Sequence, residues 1–277
     1  LLIFGIGPVP GFGAAGAAAA TVFSQFCVFA LYLFSARKDK RLFHRIRIFS
    51  QSERGSAVRI VRIGLPSAAQ DCIFSLISMT IARIIAGWGD GAIAAQKVGT
   101  QVESISFMIS GGFATAINAF TAQNFGAGRY DRIQKGFSTG AVLMVAWGAF
   151  TSVVLIAFPE PLMRLFIQEA DVVEIGASYL RIMGLAEIFN CLEGLASGMF
   201  QGMGHTVPPA VTGMAFNLFR IPAALLLSAT ALGLSGIWWA MSLSMFLKGV
   251  VLPIWFILFL RPFMRAHKAA PAAERPA

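Results

Sequence analysis

Seven long apolar segments limit what this chain can fold into more than any other feature of its sequence. A helix that spans a bilayer needs about 20 mostly apolar residues, and 57% of the 277 residues are hydrophobic while only 13% are charged. The apolar segments lie near residues 12–35, 65–88, 99–122, 137–158, 179–201, 209–231 and 236–260. They are too long and too little alternating for barrel strands of about 10 residues. We therefore predict an all-α polytopic membrane protein with seven transmembrane helices.

The basic residues are concentrated on one side of the predicted membrane. Most of the 22 lysines and arginines lie between residues 36 and 63, in the turn after the third span, or after the last span. The loops on the other side carry acids instead. Basic loops are typical of the cytoplasmic side and of contact with anionic lipid headgroups. We therefore expect a multi-pass protein of the plasma (inner) membrane of a bacterium, with a cytoplasmic C-terminus, membrane lipids as partners and no nucleic acid.

Cysteine and histidine patterns predict neither a metal site nor an enzyme. The three cysteines lie within predicted spans, the three histidines are isolated from one another, and no ligand spacing links them. Gly202-Met203-Gly204 follows no strand and lacks the third glycine of a dinucleotide site. We expect no cofactor apart from a coupling ion. An alternative is a retinal protein in which Lys248, inside the seventh span, forms a Schiff base, although an ion-paired lysine explains that residue as well.

Four carboxylates lie inside segments that are otherwise apolar enough to cross lipid. A charge at the centre of a bilayer costs roughly 2.5–3.5 kcal/mol on insertion scales, so such residues usually face a cavity or a partner. Two cations, Arg220 and Lys248, cannot neutralise all four. At least two carboxylates are therefore left for protons, sodium or a cationic substrate, unless burial keeps them protonated. The four acids are Asp71, Glu103, Glu187 and Glu193.

The span at 179–201 carries a polar face and a glycine ridge. Helical spacing brings together the polar residues Glu187, Asn190, Ser197 and Gln201. Glycines recur every fourth residue at 194, 198 and 202 and predict close approach by another helix. The polar face lines either a helix interface or a water-filled cavity. Glu103 belongs to a similar stripe on the span at 99–122.

Charge distribution also predicts the domain organisation. Residues 1–35 form one span, residues 36–63 a basic cytoplasmic connector, residues 64–262 a block of six helices, and residues 263–277 a disordered cytoplasmic tail. The chain opens Leu1-Leu2-Ile3, without a methionine or a basic leader. We therefore expect it to be part of a larger protein.

Several motifs in consecutive order resemble one transporter family. Gly64-Leu65-Pro66-Ser67 opens a span, residues 95–135 contain AQNFGAG, and residues 201–209 read QGMGHTVPP. Arg220-Ile221-Pro222 and the GLSGIW stretch at 233–238 follow. From about residue 60 to 260 these motifs resemble helices seven to twelve of the multidrug and toxic compound extrusion (MATE) transporters. Residues 3–35 resemble the sixth helix.

The resemblance implies two six-helix lobes around a cleft, working by alternating access and driven by sodium or protons. This chain would hold the last helix of the first lobe and the whole second lobe. The family's second-lobe cation site uses acids at positions that Phe74 and Asn190 occupy here, so that site is not reproduced. Glu103 matches a QxES-type stretch of one branch of the family.

We therefore predict a secondary antiporter that exports amphipathic, cationic drugs in exchange for sodium or protons, monomeric when full length. The alternatives are a related flippase of lipid-linked oligosaccharides, which a cluster of cavity-facing arginines would favour, and a non-transporting membrane module. Only Arg220 and Arg83 qualify as such arginines. The expected cation- or substrate-binding residues are Glu103, Glu187 and Glu193, with Asp71 and Asn190 supporting them and Arg220 and Lys248 tuning their charge.

Overall fold

The computed structural model describes residues 13–38 and 54–269, and every secondary-structure element in these ranges is an α-helix. The predicted all-α class is confirmed. The helices are α1 (Gly13–Lys38), α2 (Arg54–Ala86), α3 (Asp90–Gly126), α4 (Tyr130–Ala157), α5 (Pro159–Arg164), α6 (Ala170–Gly184), α7 (Glu187–Gly202), α8 (Val207–Ser228) and α9 (Leu234–Ala269). Most of the predicted basic connector and the end of the predicted tail lie outside the described residues.

The chain divides into two compact units, Leu1–Ser56 and Ala57–Ala277. Within its described part the first unit holds α1, an apolar helix long enough to cross a membrane. The second unit holds almost all of α2 and the seven helices that follow. The helix α2 begins at Arg54, inside the segment that we predicted as connector. The assignment of these units to two transporter lobes stays a prediction.

Six described helices, α1, α2, α3, α4, α8 and α9, are long and apolar enough to span a bilayer. They coincide with six of the seven predicted spans, and several extend further at their polar ends. One such extension is in α9, which continues to Ala269 although we predicted disorder from residue 263. The ring of Phe263 packs against Phe125, Tyr130 and Phe259, and these contacts support the last turns of the helix.

The predicted span at 179–201 is not one continuous helix, and this part of the prediction is wrong. It is divided between α6 and α7, with a break at Leu185 and Ala186. The buried Ser152 hydroxyl of α4 donates a hydrogen bond to the Gly184 carbonyl at 2.6 Å. The last carbonyls of a helix have no partner within it, and this hydroxyl satisfies one of them at the end of α6. The break is therefore supported by a tertiary contact that helical periodicity does not contain.

Two short helix connections each contain a glycine with a left-handed backbone conformation. The turn between α3 and α4 contains Gly128 with φ +69°, and the turn between α7 and α8 contains Gly204 with φ +77°. Both values belong to the left-handed region, which glycine enters without steric cost. These turns place consecutive helices side by side and allow α7 to pack centrally, against α3, α4 and α9.

The predicted glycine ridge of α7 does meet another helix. A Cβ atom at Gly198 would lie 2.6 Å from the Ala114 carbonyl oxygen of α3, and one at Gly202 would lie 2.5 Å from the Asn118 oxygen. The third glycine, Gly194, has more space around it, because a Cβ atom there would lie 3.5 Å from its nearest neighbour, the Ser110 hydroxyl oxygen. The close approach of α3 and α7 therefore depends on the absence of side chains at two of the three positions.

We expect Gly198→Ala and Gly202→Ala each to lower the free energy of unfolding by about 1–3 kcal/mol, the usual cost of overpacking. The measurement is unfolding in mixed micelles followed by circular dichroism. Gly194→Ala is the matched control and should be neutral or slightly stabilising, because alanine favours helix and its Cβ has room. Equal destabilisation by all three substitutions would contradict this packing.

Candidate functional site

A cavity of about 400 Å³ lies among α2, α3, α6, α7, α8 and α9. This volume is within the range of small-molecule sites, about 300–1,000 Å³. Apolar and thioether side chains form much of its wall, with polar groups between them. The apolar lining residues are Phe74, Phe107, Met183, Met241 and Met245. The polar lining residues are Ser78, Gln96, Thr100, Glu103, Tyr179, Asn190, Arg220 and Lys248.

Glu103 is the carboxylate that lines this cavity directly, and it is buried. The Tyr179 hydroxyl donates a hydrogen bond to its Oε2 atom at 2.6 Å, and the same hydroxyl lies 3.3 Å from Thr100 Oγ1. The other oxygen, Oε1, has no hydrogen-bond partner among the described residues. Buried polar atoms are normally satisfied, so an unpartnered carboxylate oxygen beside a cavity suggests a place for a ligand.

Close packing holds Tyr179 in this position. Its ring meets Trp238 edge-on at 4.9 Å between centroids. On the other side the ring lies so close to Gly99 of α3 that a Cβ atom there would clash with it. The tyrosine is therefore fixed between α3 and α9, and its hydroxyl is fixed against Glu103.

Glu187 forms a second buried carboxylate close to the first. It lies in the first turn of α7, directly after the helix break, and accepts a hydrogen bond from the Ser106 hydroxyl of α3. Its Oε2 atom has no hydrogen-bond partner in the described part of the chain. Ser106 follows Glu103 by one helical turn, about 5 Å along the axis. The two carboxylates interact electrostatically, although Glu187 is not part of the cavity lining.

The other two intramembrane charges of the cavity are cations with different partners. Lys248 of α9 forms an ion pair with Glu193 of α7 at 2.9 Å, and both side chains are largely buried. Arg220 of α8 donates instead to the Ser244 hydroxyl at 3.0 Å, which in turn donates to the Phe216 carbonyl. The structure therefore contains one of the two ion pairs that the charge count allows.

The structure brings most of the predicted site residues together. The cavity is lined by Glu103, Asn190, Arg220 and Lys248. Glu193 is not part of the lining but forms an ion pair with Lys248. Glu187 lies beside Ser106, outside the lining. Asp71 is exposed on α2, away from the lining, and its supporting role stays a prediction, as do the roles of the others. Arg83 is likewise exposed and does not line the cavity.

Sequence reasoning missed several residues of this site, including the tyrosine that donates a hydrogen bond to Glu103. Tyr179 and Thr100 were not among the predicted site residues, and Met241 and Met245 were not identified as cavity wall. One signal was available for the tyrosine, because a hydroxyl inside an apolar span needs a hydrogen-bond partner. The methionines carried no such signal, since apolar residues of a span face lipid, protein or cavity with equal ease.

Comparisons with known proteins agree with this architecture. The MatE family model matches residues 66–226, more than half of the chain. A "Probable multidrug resistance protein NorM" of Thermotoga maritima is 28% identical over 258 residues, which cover 92% of this chain and 55% of that protein. An "FAD transporter" of Shewanella oneidensis is 28% identical over 186 residues, or 67% of this chain and 41% of that protein.

The fold is also similar to solved structures. One is the outward-facing conformation of a multidrug resistance MATE family transporter of the MOP superfamily, with a TM-score of 0.82 at 18% identity. That match covers 92% of this chain and 58% of the other. The chain therefore spans about half the length of the curated relatives and structures that it matches.

Proposed function

Because this chain belongs to the MatE family, we propose that it supplies one lobe of a secondary transporter that exports amphipathic, cationic compounds in exchange for sodium or protons. The observation that carries the proposal is the cavity beside Glu103. It combines a wall of flexible methionine and aromatic side chains with a buried carboxylate that has one unpartnered oxygen. Methionine surfaces adapt to ligands of different shape.

In this proposal Glu103 and Glu187 hold the coupling cation or an exchanging proton. Their hydrogen-bond partners, Tyr179 and Ser106, are hydroxyls, so no ion-paired cation of the described residues competes with the coupling ion for these two carboxylates. Glu193 with Lys248, and Asn190 one helical turn before Glu193 on α7, shape the substrate end of the cavity. Arg220 limits the negative charge that the cavity presents.

A second candidate is the transport of an anionic substrate. The buried guanidinium of Arg220 lines the cavity without a carboxylate in salt-bridge contact among the described residues. A relative that covers two thirds of this chain is named as an FAD transporter. An anionic phosphate-containing substrate would pair with that guanidinium. A cavity-facing arginine cluster, which a flippase would favour, is not found in the described lining, since Arg83 lies elsewhere.

The test is efflux from proteoliposomes under separate sodium and proton gradients, with ethidium and FAD as alternative substrates. It compares the 277-residue chain with a fusion that places the preceding part of the Thermotoga maritima relative ahead of residue 1. We expect gradient-dependent ethidium efflux from the fusion, and the effective gradient identifies the coupling ion. FAD efflux without ethidium efflux would support the second candidate. No efflux of either substrate from a folded fusion would reject both.

A further inference from the structure

A second, separate concavity lies between α3 and α4. It has a volume of about 490 Å³ and shares no lining residue with the cavity beside Glu103. Its walls are apolar: Phe113, Ile117 and Phe120 of α3 face Leu143 of α4, with Leu195 of α7 at the base. We call this concavity the α3–α4 groove.

Two glycines of α4 let its backbone pack closely against the walls of the groove. A Cβ atom at Gly136 would clash with the Phe120 ring, and one at Gly140 would lie 2.7 Å from Leu195. The positions of Phe120 and Leu195 in the groove therefore depend on the absence of side chains at these two positions. The groove follows α4 from Arg132 to Met144, a distance of about 18 Å. This length is close to the hydrocarbon depth of one leaflet, about 15 Å.

One end of the groove is basic. Arg132 and Lys135 both line it, lie one turn apart near the start of α4, and are exposed. Neither has an ion-pair partner in the part of the chain that the structure describes. The remaining lining carries no charge. A ligand that fits this arrangement has an anionic head and an apolar tail of about one leaflet's depth.

We propose that the α3–α4 groove binds an anionic phospholipid from the leaflet at the α3–α4 turn. The phosphate pairs with Arg132 and Lys135, and one acyl chain lies along Phe113, Phe120 and Leu143. The positive-inside pattern places this turn in the cytoplasmic leaflet, where anionic lipids attract basic side chains. The site is distinct from the transport cavity, so its failure would leave the proposed function unaffected.

The experiment is native mass spectrometry of the 277-residue chain in a neutral detergent, titrated with phosphatidylglycerol or phosphatidylcholine of identical acyl chains. We expect tighter binding of phosphatidylglycerol. The double variant Arg132→Gln/Lys135→Gln should weaken that binding by about thirtyfold and leave phosphatidylcholine unchanged, the effect of two basic groups near an anionic headgroup. Thr139→Phe, which places a ring in the groove, should weaken both lipids.

Two matched controls separate the groove from general effects. Arg265→Gln removes one exposed charge outside the groove, and Val142→Phe adds a ring to an exposed position of α4 outside it; neither should change lipid binding. Circular dichroism verifies that each variant keeps its helices.

Equal binding of the two lipids, or unchanged phosphatidylglycerol binding by the folded double variant, would overturn the proposal. A Thr139→Phe variant that alters the oligomeric state without altering lipid binding would assign the groove to a second copy of the chain instead.

Discussion

Lys248→Met is expected to lower the free energy of unfolding by about 3–5 kcal/mol, the usual cost of leaving one member of a buried ion pair without its partner. Glu193 would then lie between α7 and α9 with no cation at 2.9 Å. The measurement is equilibrium unfolding in mixed micelles, followed by circular dichroism.

The double variant Lys248→Met/Glu193→Gln tests the cause of this loss. With both charges removed, most of the stability should return, because replacing a whole buried pair is often neutral. The exposed pair of Arg181 and Glu160, 3.3 Å apart, is the matched control. There Arg181→Met should cost no more than about 1 kcal/mol. If the double variant is as unstable as Lys248→Met alone, the lysine stabilises the protein through its packing and the ion pair does not.

Glu103→Gln is expected to reduce gradient-driven ethidium efflux by the fusion about 10- to 150-fold, and this expectation depends on the proposed function. The amide keeps an acceptor for the Tyr179 hydroxyl but removes the negative charge that would hold the coupling cation. Interactions with a charged partner contribute about 1.5–3 kcal/mol, which corresponds to such a change in affinity. The assay measures initial efflux rates at several concentrations of the coupling ion.

Tyr179→Phe separates charge from positioning. It keeps the carboxylate of Glu103 and removes one neutral donor, so a loss of about fivefold is expected, near 1 kcal/mol. The control is Asp90→Asn, which removes an exposed carboxylate at the start of α3, the helix that carries Glu103. It should leave the efflux rate unchanged. Normal efflux by Glu103→Gln, with expression and helicity maintained, would exclude this carboxylate from ion coupling.

The charge count within the spans illustrates how far sequence reasoning reaches. Four acids and two cations were visible in the sequence, and the excess of acids correctly indicated carboxylates without cationic partners. The structure assigns the partners: Glu193 pairs with Lys248, while Glu103 and Glu187 receive hydroxyl hydrogen bonds. The sequence indicates that a tyrosine hydroxyl inside a span needs a hydrogen-bond partner, but it does not say which carboxylate that partner is.

The segment at 179–201 shows a different limit. Its polar face and its glycine ridge follow from helical spacing, and the ridge does pack against α3. The break after Gly184 does not follow from spacing, and the partner of the carbonyl at that end of α6 is the Ser152 hydroxyl on α4, which is distant in sequence. The break also places Glu187 in the first turn of a new helix, next to Ser106.

The sequence by itself determined the class of this protein and the positions of the six described helices that are long enough to span a bilayer. Hydropathy is a property of local composition, and lipid requires every backbone group of a spanning segment to be satisfied within that segment, so length and composition suffice. Only the tertiary structure decided which buried charges share a cavity. Glu103 accepts a hydrogen bond from Tyr179, which is 76 residues away in the sequence. Such pairs depend on how each helix is rotated and packed against its neighbours. The period of a single helix does not specify that rotation.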